Sequence, residues 1–205
     1  MPERLKTILI FGQPGVGKGT QGKIIGSVPG FVHLATGDMF RGLDRDSALG
    51  QEFLKYSTQG LLVPDELTCR FWQQYVQGLI DTNQYKPDSD LLLLDGIPRS
   101  VEQARILDEH IDVLRVIHLV CQDSDALVAR MTKRAEQQGR PDDADEEVIR
   151  RRIQVYHDET QPVLSHYDAS KIVEINAVGL PGEILQNILN SIIPAAKGLI
   201  RNPFG

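Results

Sequence analysis

The first residues of the sequence that could do chemistry form a glycine-rich stretch directly after an apolar run. Gly12, Gly17 and Lys18 satisfy the spacing G-x-x-x-x-G-K, between the apolar run TILIF and a segment of helical pattern. Glycines allow several backbone N–H groups to turn toward one anion, and the start of the following helix adds its positive dipole. The single lysine supplies a full charge for outer phosphates. The stretch predicts a phosphate-binding loop; the alternative is a plain strand-to-helix turn with an incidental lysine.

A second chemical feature is Asp95, which ends the apolar run LLLLD. An acid at the end of a buried strand beside a phosphate loop is typical of a residue that holds a hydrated Mg²⁺. In the general loop pattern Ser or Thr follows the lysine, whereas here Gly19 comes first and Thr20 second. We therefore expect Mg²⁺ to be held through waters and Asp95, the alternative being an acidic strand end with no metal role. The guanine-reading pattern N-K-x-D is absent from the sequence.

These residues need a scaffold, and the hydrophobic pattern predicts one. Four apolar runs (TILIFG, LLLLDG, VIHLVC and KIVEIN) and a weaker fifth (GFVHL) are continuous rather than alternating, which is typical of strands buried on both faces of a parallel sheet. Helical patterns lie between them, at 18–25, 123–138 and 181–193. The alternation predicts a single α/β domain over 1–205 with three layers. Residues 35–64 and 134–143 break the pattern and are candidate mobile flaps.

The composition excludes several classes of function. The chain has 205 residues and a formal net charge of −6, which argues against a broad surface for nucleic acid or an anionic membrane. No apolar stretch of the sequence is long enough for a spanning helix. The two cysteines, Cys69 and Cys121, match no zinc spacing, so no zinc is expected. We expect a cytoplasmic protein.

Five ordered blocks of the sequence are similar to those of the adenylate kinase family. GQPGVGKGTQ resembles its phosphate loop, HLATGDMFR and GLLVPDEL the two ends of its AMP flap, and LLLLDGIPRSVEQA its D-G-F-P-R segment. RMTKRAEQQGRPDD, followed by EEVIRRRIQVYHDETQPVL, resembles its lid and the helix after it. The resemblance implies a P-loop nucleoside-monophosphate-kinase fold with a five-stranded parallel sheet. It also implies reversible phosphoryl transfer from Mg-ATP to AMP giving two ADP, by a monomer whose partners are these nucleotides.

The resemblance also assigns site residues and flaps. It implies an AMP-binding flap at 35–64 and a short lid at 134–143, closed with the help of Asp142 and Asp143, which could otherwise be solvated charges. The implied catalytic residues are Lys18, Arg99, Arg134, Arg140 and Arg152. The implied ATP-binding residues are Gly15, Val16, Gly17, Lys18, Gly19, Thr20, Arg130, Arg134 and Gly179. The implied AMP-binding residues are Thr36, Arg41, Leu61, Leu62, Val63, Gly96, Arg99, Gln103, Arg140 and Arg152.

Elementary chemistry supports the arginines independently. Phosphoryl transfer asks a protein mainly for positioning and charge neutralisation, so arginines from separate segments are expected to converge in an otherwise acidic chain. Adjacent arginines raise a choice of register. Arg151 and Arg152 point about 100° apart on a helix, so only one can face phosphates; the downstream pattern Y-x-x-x-T-x-P favours Arg152.

The choice of acceptor base rests on two positions. A glutamine amide offers a donor and an acceptor and matches an adenine edge, so Thr36 and Gln103 favour AMP over UMP or CMP. Gln103 could instead be an ordinary polar helix residue. A pyrimidine monophosphate kinase on the same fold and a non-catalytic nucleotide-binding module stay open as alternatives. Ile97 replaces the family's Phe, which predicts looser packing at the AMP pocket, and the tail after 193 has no assigned role.

Overall fold

The molecule is built on one parallel β-sheet. The structure, a computed structural model, describes residues 4–138, 143 and 145–200. The strands are β1 (Leu5–Gly12), β2 (Phe31–Ala35), β3 (Leu91–Asp95), β4 (Ile111–Val120) and β5 (Ile172–Asn176). Their order in the sheet is β2-β3-β1-β4-β5, and every neighbouring pair is parallel. All five apolar runs are strands, so the predicted α/β fold with a five-stranded parallel sheet is confirmed.

Helices connect the strands. They are α1 (Lys18–Ile25), α2 (Thr36–Arg41), α3 (Ala48–Ser57), α4 (Asp65–Asp81), α5 (Val101–Leu107), α6 (Ser124–Gln138), α7 (Glu146–Val155) and α8 (Pro181–Ala196). Short π and 3-10 turns lie between α7 and β5. The predicted helices at 18–25, 123–138 and 181–193 correspond to α1, α6 and α8. Within the described ranges, no helix has the length and apolar character needed to cross a membrane.

The stretch 35–64 differs from its sequence-based description. The break in the pattern suggested a polar loop region, whereas α2 and α3 occupy most of it. Both helices are short, and α3 buries only Gly50 completely, so neither produces a long apolar stripe. The Ser47 hydroxyl accepts from the Gly50 backbone N–H and caps the start of α3. Local capping, rather than hydrophobic periodicity, is the sequence signal for this helix.

The alternation of side chains along β1 produces the three layers. Ile8 and Ile10 point to the face covered by α1, α6, α7 and α8, whereas Leu9 and Phe11 point to the face covered by α4 and α5. Trp72 on α4 is 1% exposed and packs in the second face, as the sequence interpretation expected. Both sheet faces are therefore covered, which explains why the strands read as continuous apolar runs.

The C-terminal tail covers part of the core. Leu199 and Ile200 pack against the apolar cluster on the α1 and α8 face. Ile200 lies against Gly30, where a Cβ atom would stand 2.1 Å from its Cγ2 atom. The tail, to which the sequence assigned no role, therefore covers part of the apolar core as far as Ile200. Residues 201–205 lie outside the described residues.

Two helical glycines give a matched test of packing. A Cβ atom on Gly22 of α1 would stand 2.2 Å from the buried His33 imidazole, whereas a Cβ on Gly78 of α4 meets nothing within 4 Å. We expect Gly22→Ala to lower the free energy of unfolding by about 1–3 kcal/mol, because His33 and α1 must move apart. We expect Gly78→Ala to raise it by up to about 1 kcal/mol. Urea unfolding measures both; equal effects would contradict the close packing of His33 on α1.

Candidate active site

The phosphate loop begins where β1 passes closest to β4. Gly12 pairs with Leu119, and a Cβ atom there would stand 2.5 Å from the Leu119 carbonyl oxygen. Gly17, immediately before α1, has φ +107°, a left-handed conformation that glycine adopts without strain. The Lys18 Nζ atom donates to the carbonyl oxygens of Gly12 (2.6 Å) and Gln13 (3.0 Å). The lysine therefore folds back across the loop at the carboxyl end of β1.

This loop forms one wall of a cavity of about 610 Å³ at the carboxyl ends of the strands. Such a volume is typical of a small-molecule site, and this edge of a parallel sheet is where ligands bind in α/β proteins. The cavity brings together the predicted binding and catalytic residues that the structure describes: Gly15, Val16, Gly17, Lys18, Gly19, Thr20, Thr36, Arg41, Leu61, Leu62, Val63, Asp95, Gly96, Arg99, Gln103, Arg130, Arg134, Arg152 and Gly179. Two predicted residues, Arg140 and Asp142, lie outside the described residues.

Cations converge at the centre of the cavity. Burial is the main reason why the pKa of Lys18 falls from 10.5 to about 8; Asp95 raises this pKa, whereas Arg99, Arg152 and Arg134 lower it further. The Arg99 Nε atom donates to the Gly96 carbonyl oxygen at 2.7 Å. A site that places one partly buried lysine among three guanidinium groups is suited to an anion of high charge.

Asp143 holds two of these arginines. Its side chain is 0% exposed; its Oδ2 atom accepts from the Arg134 Nε at 2.8 Å, and its Oδ1 atom makes a short contact with the Arg152 Nη1. Arg134 is on α6 and Arg152 on α7, so the buried carboxylate joins the two helices beside the cavity. Asp143 itself is not part of the cavity wall. Its predicted role in lid closure stays a prediction.

The choice between Arg151 and Arg152 has a geometric counterpart. Arg152 lines the cavity, whereas Arg151 is exposed, donates to the Gln59 carbonyl oxygen at 3.2 Å and pairs with Glu147 at 3.3 Å. The two side chains leave α7 in different directions, as the helical geometry requires. Arg152 is thus the member of the pair that can reach a ligand in the cavity.

The opposite wall contains the predicted acceptor residues. The Thr36 hydroxyl, on a residue only 2% exposed, donates to the Gly96 carbonyl oxygen at 2.8 Å. Arg41 contacts Asp38 at 2.5 Å. Burial raises the pKa of Asp38, but Arg41 and Lys23 outweigh burial and bring this pKa below its ordinary value. Asp38 is therefore ionised at neutral pH and orients Arg41 along α2.

Asp95 offers an oxygen donor beside the phosphate loop. Its Oδ2 atom lies 3.6 Å from the position that a Cβ atom on Gly19 would take, and 3.8 Å from the His33 Nε2 atom. Across residues 4–138, 143 and 145–200, no group of three or more His, Cys, Asp or Glu side chains is arranged to hold a metal. One carboxylate, with waters and phosphate oxygens, fits Mg²⁺, which rarely uses a cage of protein ligands.

Several cavity residues were missed by the sequence interpretation. Lys133 and Gln137 line the cavity with Arg130 and Arg134, on one face of α6. Their i, i+3, i+4, i+7 spacing is the signal that could have identified them. Gln21 also lines the cavity; its Nε2 atom donates to the Pro181 carbonyl oxygen at 3.0 Å and connects α1 to the start of α8. No pattern in the sequence indicates that long-range contact.

Ile97 lies behind the cavity wall rather than on it. It is 2% exposed and packs in the apolar cluster on the α4 and α5 face, between two residues, Gly96 and Pro98, that do line the cavity. Any effect of replacing the family's Phe must therefore reach the acceptor pocket through packing.

The fold and the cavity define an α/β protein with a glycine-rich loop and a cluster of cations at the carboxyl edge of its parallel sheet. A family model described as adenylate kinase matches residues 10–172. The chain is 36% identical over 192 residues to an adenylate kinase of Flavobacterium johnsoniae, covering 90% of this chain and 97% of that protein. It is 37% identical over 191 residues to one of Kocuria rhizophila (90% and 97% covered) and 39% identical over 189 residues to one of Clavibacter michiganensis (88% and 90% covered). The chain belongs to the adenylate kinase family.

Proposed function

We propose that this chain catalyses the reversible transfer of a phosphoryl group from Mg-ATP to AMP, giving two ADP. It is an ATP:AMP phosphotransferase by family. The observation that carries the proposal is the convergence of Lys18, Arg99, Arg134 and Arg152 on one cavity between the phosphate loop and the acceptor wall. A site that only bound one nucleotide would need cations at one phosphate position, not on both sides of the cavity.

The donor side of the reaction is assigned to the loop and α6. The backbone N–H groups of 15–20 and the Lys18 ammonium hold the phosphates of ATP. Arg130 lies against the adenine and Gly179 contacts it through its backbone. Lys18 leaves the carbonyl oxygens of Gly12 and Gln13 when phosphate oxygens become available.

The acceptor side is assigned to α2, the segment 61–63 and the start of α5. Arg41 and Arg99 bind the AMP phosphate, while Thr36 and Gln103 face its base. Arg134 and Arg152, with Arg140, neutralise the charge that develops on the transferred group. Because Asp143 already orients Arg134 and Arg152, and the Gly96 carbonyl oxygen already orients Arg99, these three arginines need little rearrangement at the moment of transfer.

Magnesium is assigned to Asp95 through water. When bound there, Mg²⁺ would neutralise part of the charge of the ATP phosphates. The role of this chain is to orient that hydrated ion with one buried carboxylate beside Gly19 and Thr20.

Closure is assigned to the two flaps, 35–64 over AMP and 134–143 over ATP, both inserted in a core that spans 1–205. Exclusion of water protects the phosphoryl group from hydrolysis. We also infer a cytoplasmic monomer, which both buried, unpaired cysteine thiols suit.

Acceptor specificity tests the proposed function. ADP formation from Mg-ATP is measured against AMP, dAMP, UMP, CMP and GMP, with Lys18→Ala as the background. We expect adenine acceptors alone to be used efficiently. A preference for UMP or CMP would keep the mechanism and reject the assigned base contacts, and no turnover with any acceptor would reject the function.

The lowered pKa of Lys18 gives a pH dependence. Phosphates stabilise the charged ammonium, so ATP binding raises the Lys18 pKa above its free value of about 8. We expect ATP to bind roughly tenfold more weakly for each pH unit above about 8, with proton uptake on binding in that range. Calorimetry in buffers of different ionisation enthalpy measures the uptake. Proton uptake that persists in Lys18→Met would assign the effect to another group.

A further inference from the structure

The amide of Gln103 has its orientation fixed by two partners of opposite hydrogen-bonding sense. The Arg99 backbone N–H donates to the Gln103 Oε1 atom at 2.7 Å, and the Gln103 Nε2 atom donates to the Asp65 Oδ1 atom at 2.8 Å. A backbone N–H can only donate and an ionised carboxylate can only accept. A half-turn of the amide would therefore oppose two donors at one end and two acceptors at the other.

Burial makes this constraint strong. Gln103 is 1% exposed, so solvent water does not replace either partner when the amide turns. The backbone beneath it is held as well, because the Ser100 hydroxyl caps α5 by accepting from the Gln103 backbone N–H at 3.1 Å. The Gln103 amide therefore lies at the cavity wall in one defined orientation of its donor and acceptor ends.

The orientation of the Gln103 amide determines which base edge it can recognise. Each end of the amide keeps one unused capability, a second lone pair on Oε1 and a second N–H on Nε2. Adenine presents a donor at its 6-amino group and an acceptor at N1, whereas hypoxanthine presents an acceptor at O6 and a donor at N1. A fixed amide matches one of these edges, and a freely turning amide can match both.

We propose that Asp65 is a positioning residue that sets selectivity for adenine by fixing the orientation of the Gln103 amide. The inference rests on the proposed function, in which AMP is the acceptor and Gln103 faces its base. Asp65 begins α4 and does not line the cavity, so its influence on the substrate passes through Gln103.

A simpler role for Asp65 is the general preference for a carboxylate in the first turn of a helix. Glu66 is the other acidic residue in the first turn of α4. It is exposed and does not line the cavity. Glu66→Gln is therefore a matched control that removes the same charge at the same helix end. Asp65→Asn keeps the size of the side chain. The new amide can accept from the Gln103 Nε2 atom or donate to the Gln103 Oε1 atom, so it tolerates both orientations of Gln103.

The experiment measures kcat/KM for AMP and for IMP with Mg-ATP. We expect Asp65→Asn to reduce the ratio of AMP to IMP by about tenfold or more, mainly through the two acceptor KM values, with the KM for ATP unchanged. Glu66→Gln keeps the wild-type ratio. Asp65→Glu, which can still only accept, keeps most of the ratio. If Asp65→Asn fails to fold, Asp65→Thr, whose hydroxyl also donates or accepts, carries the same expectation.

The outcomes separate the two proposals. A wild-type ratio in the Asp65 variant, or an equal fall in Glu66→Gln, overturns the role of Asp65 while leaving the kinase activity intact. A wild-type protein that does not phosphorylate AMP overturns the proposed function itself.

Discussion

Lys18→Met is expected to reduce kcat by about 100- to 1,000-fold while raising the stability of the ligand-free protein. The loss of activity follows because no other cation of the described loop can take the place of an ammonium preorganised for phosphate charge. The gain in stability follows from the Lys18 pKa. Burial lowers this pKa from 10.5 in the unfolded chain to about 8 in the folded chain.

The sign of the stability change can be worked out from these two values. Between pH 8 and 10.5 the unfolded chain binds the proton more tightly, so stability rises with pH in that window. Below about pH 8 the full cost of burying the charge is present, amounting to as much as about 3 kcal/mol. Removing the charge relieves it. Thermal unfolding at pH 7 and steady-state kinetics check both halves, with the exposed Lys197→Met as a control that should change neither. A less stable Lys18→Met protein would contradict the assigned cost of burial.

Arg152→Ala is expected to lower kcat by about 100-fold or more, whereas Arg151→Ala changes it by less than about twofold. Arg152 lines the cavity and is one of the guanidinium groups that act on Lys18, so its loss leaves developing phosphate charge less neutralised. Arg151 contacts Gln59 and Glu147 at the surface, and exposed pairs contribute little. The two variants remove the same side chain from adjacent positions of one helix, which makes the pair a matched comparison.

A structural contribution of Arg152 must be separated from catalysis, because Asp143 is completely buried and loses one of the two arginine partners that it has among the described residues. We therefore expect Arg152→Ala also to unfold at a lower temperature. Kinetics measured well below that temperature, with folded protein verified by circular dichroism, isolate the effect on the chemical step. Equal activities of the two alanine variants would contradict the assignment of the phosphate contact to Arg152.

The phosphate loop and the sheet were predictable from local patterns. A strand buried on both faces is apolar at nearly every position, so TILIFG and LLLLDG can be recognised as strands without knowledge of their neighbours in the sheet. The glycine spacing around Lys18 is likewise local, since the loop folds onto its own backbone between β1 and α1. The five blocks of family resemblance then supplied roles for the remaining residues, and the comparisons confirm the family.

The helices α2 and α3 and the additional cavity residues were less accessible. Short helices that bury few residues have no long periodic stripe, so their start signals are single capping residues such as Ser47. Spacing places Lys133 on the same face of α6 as Arg130 and Arg134, and the tertiary structure shows that this face lines the cavity.

The sequence by itself determined the sheet and the phosphate loop, because each depends on residue type and spacing over a few positions. The tertiary structure decided which side chains from distant segments meet at the cavity and which carboxylates hold them. Arg152 rather than Arg151 reaches the cavity, Asp143 joins α6 to α7, and Asp65 holds Gln103 across a separation of 38 residues. These relations depend on how helices distant in sequence pack against one sheet, and no local pattern records that packing.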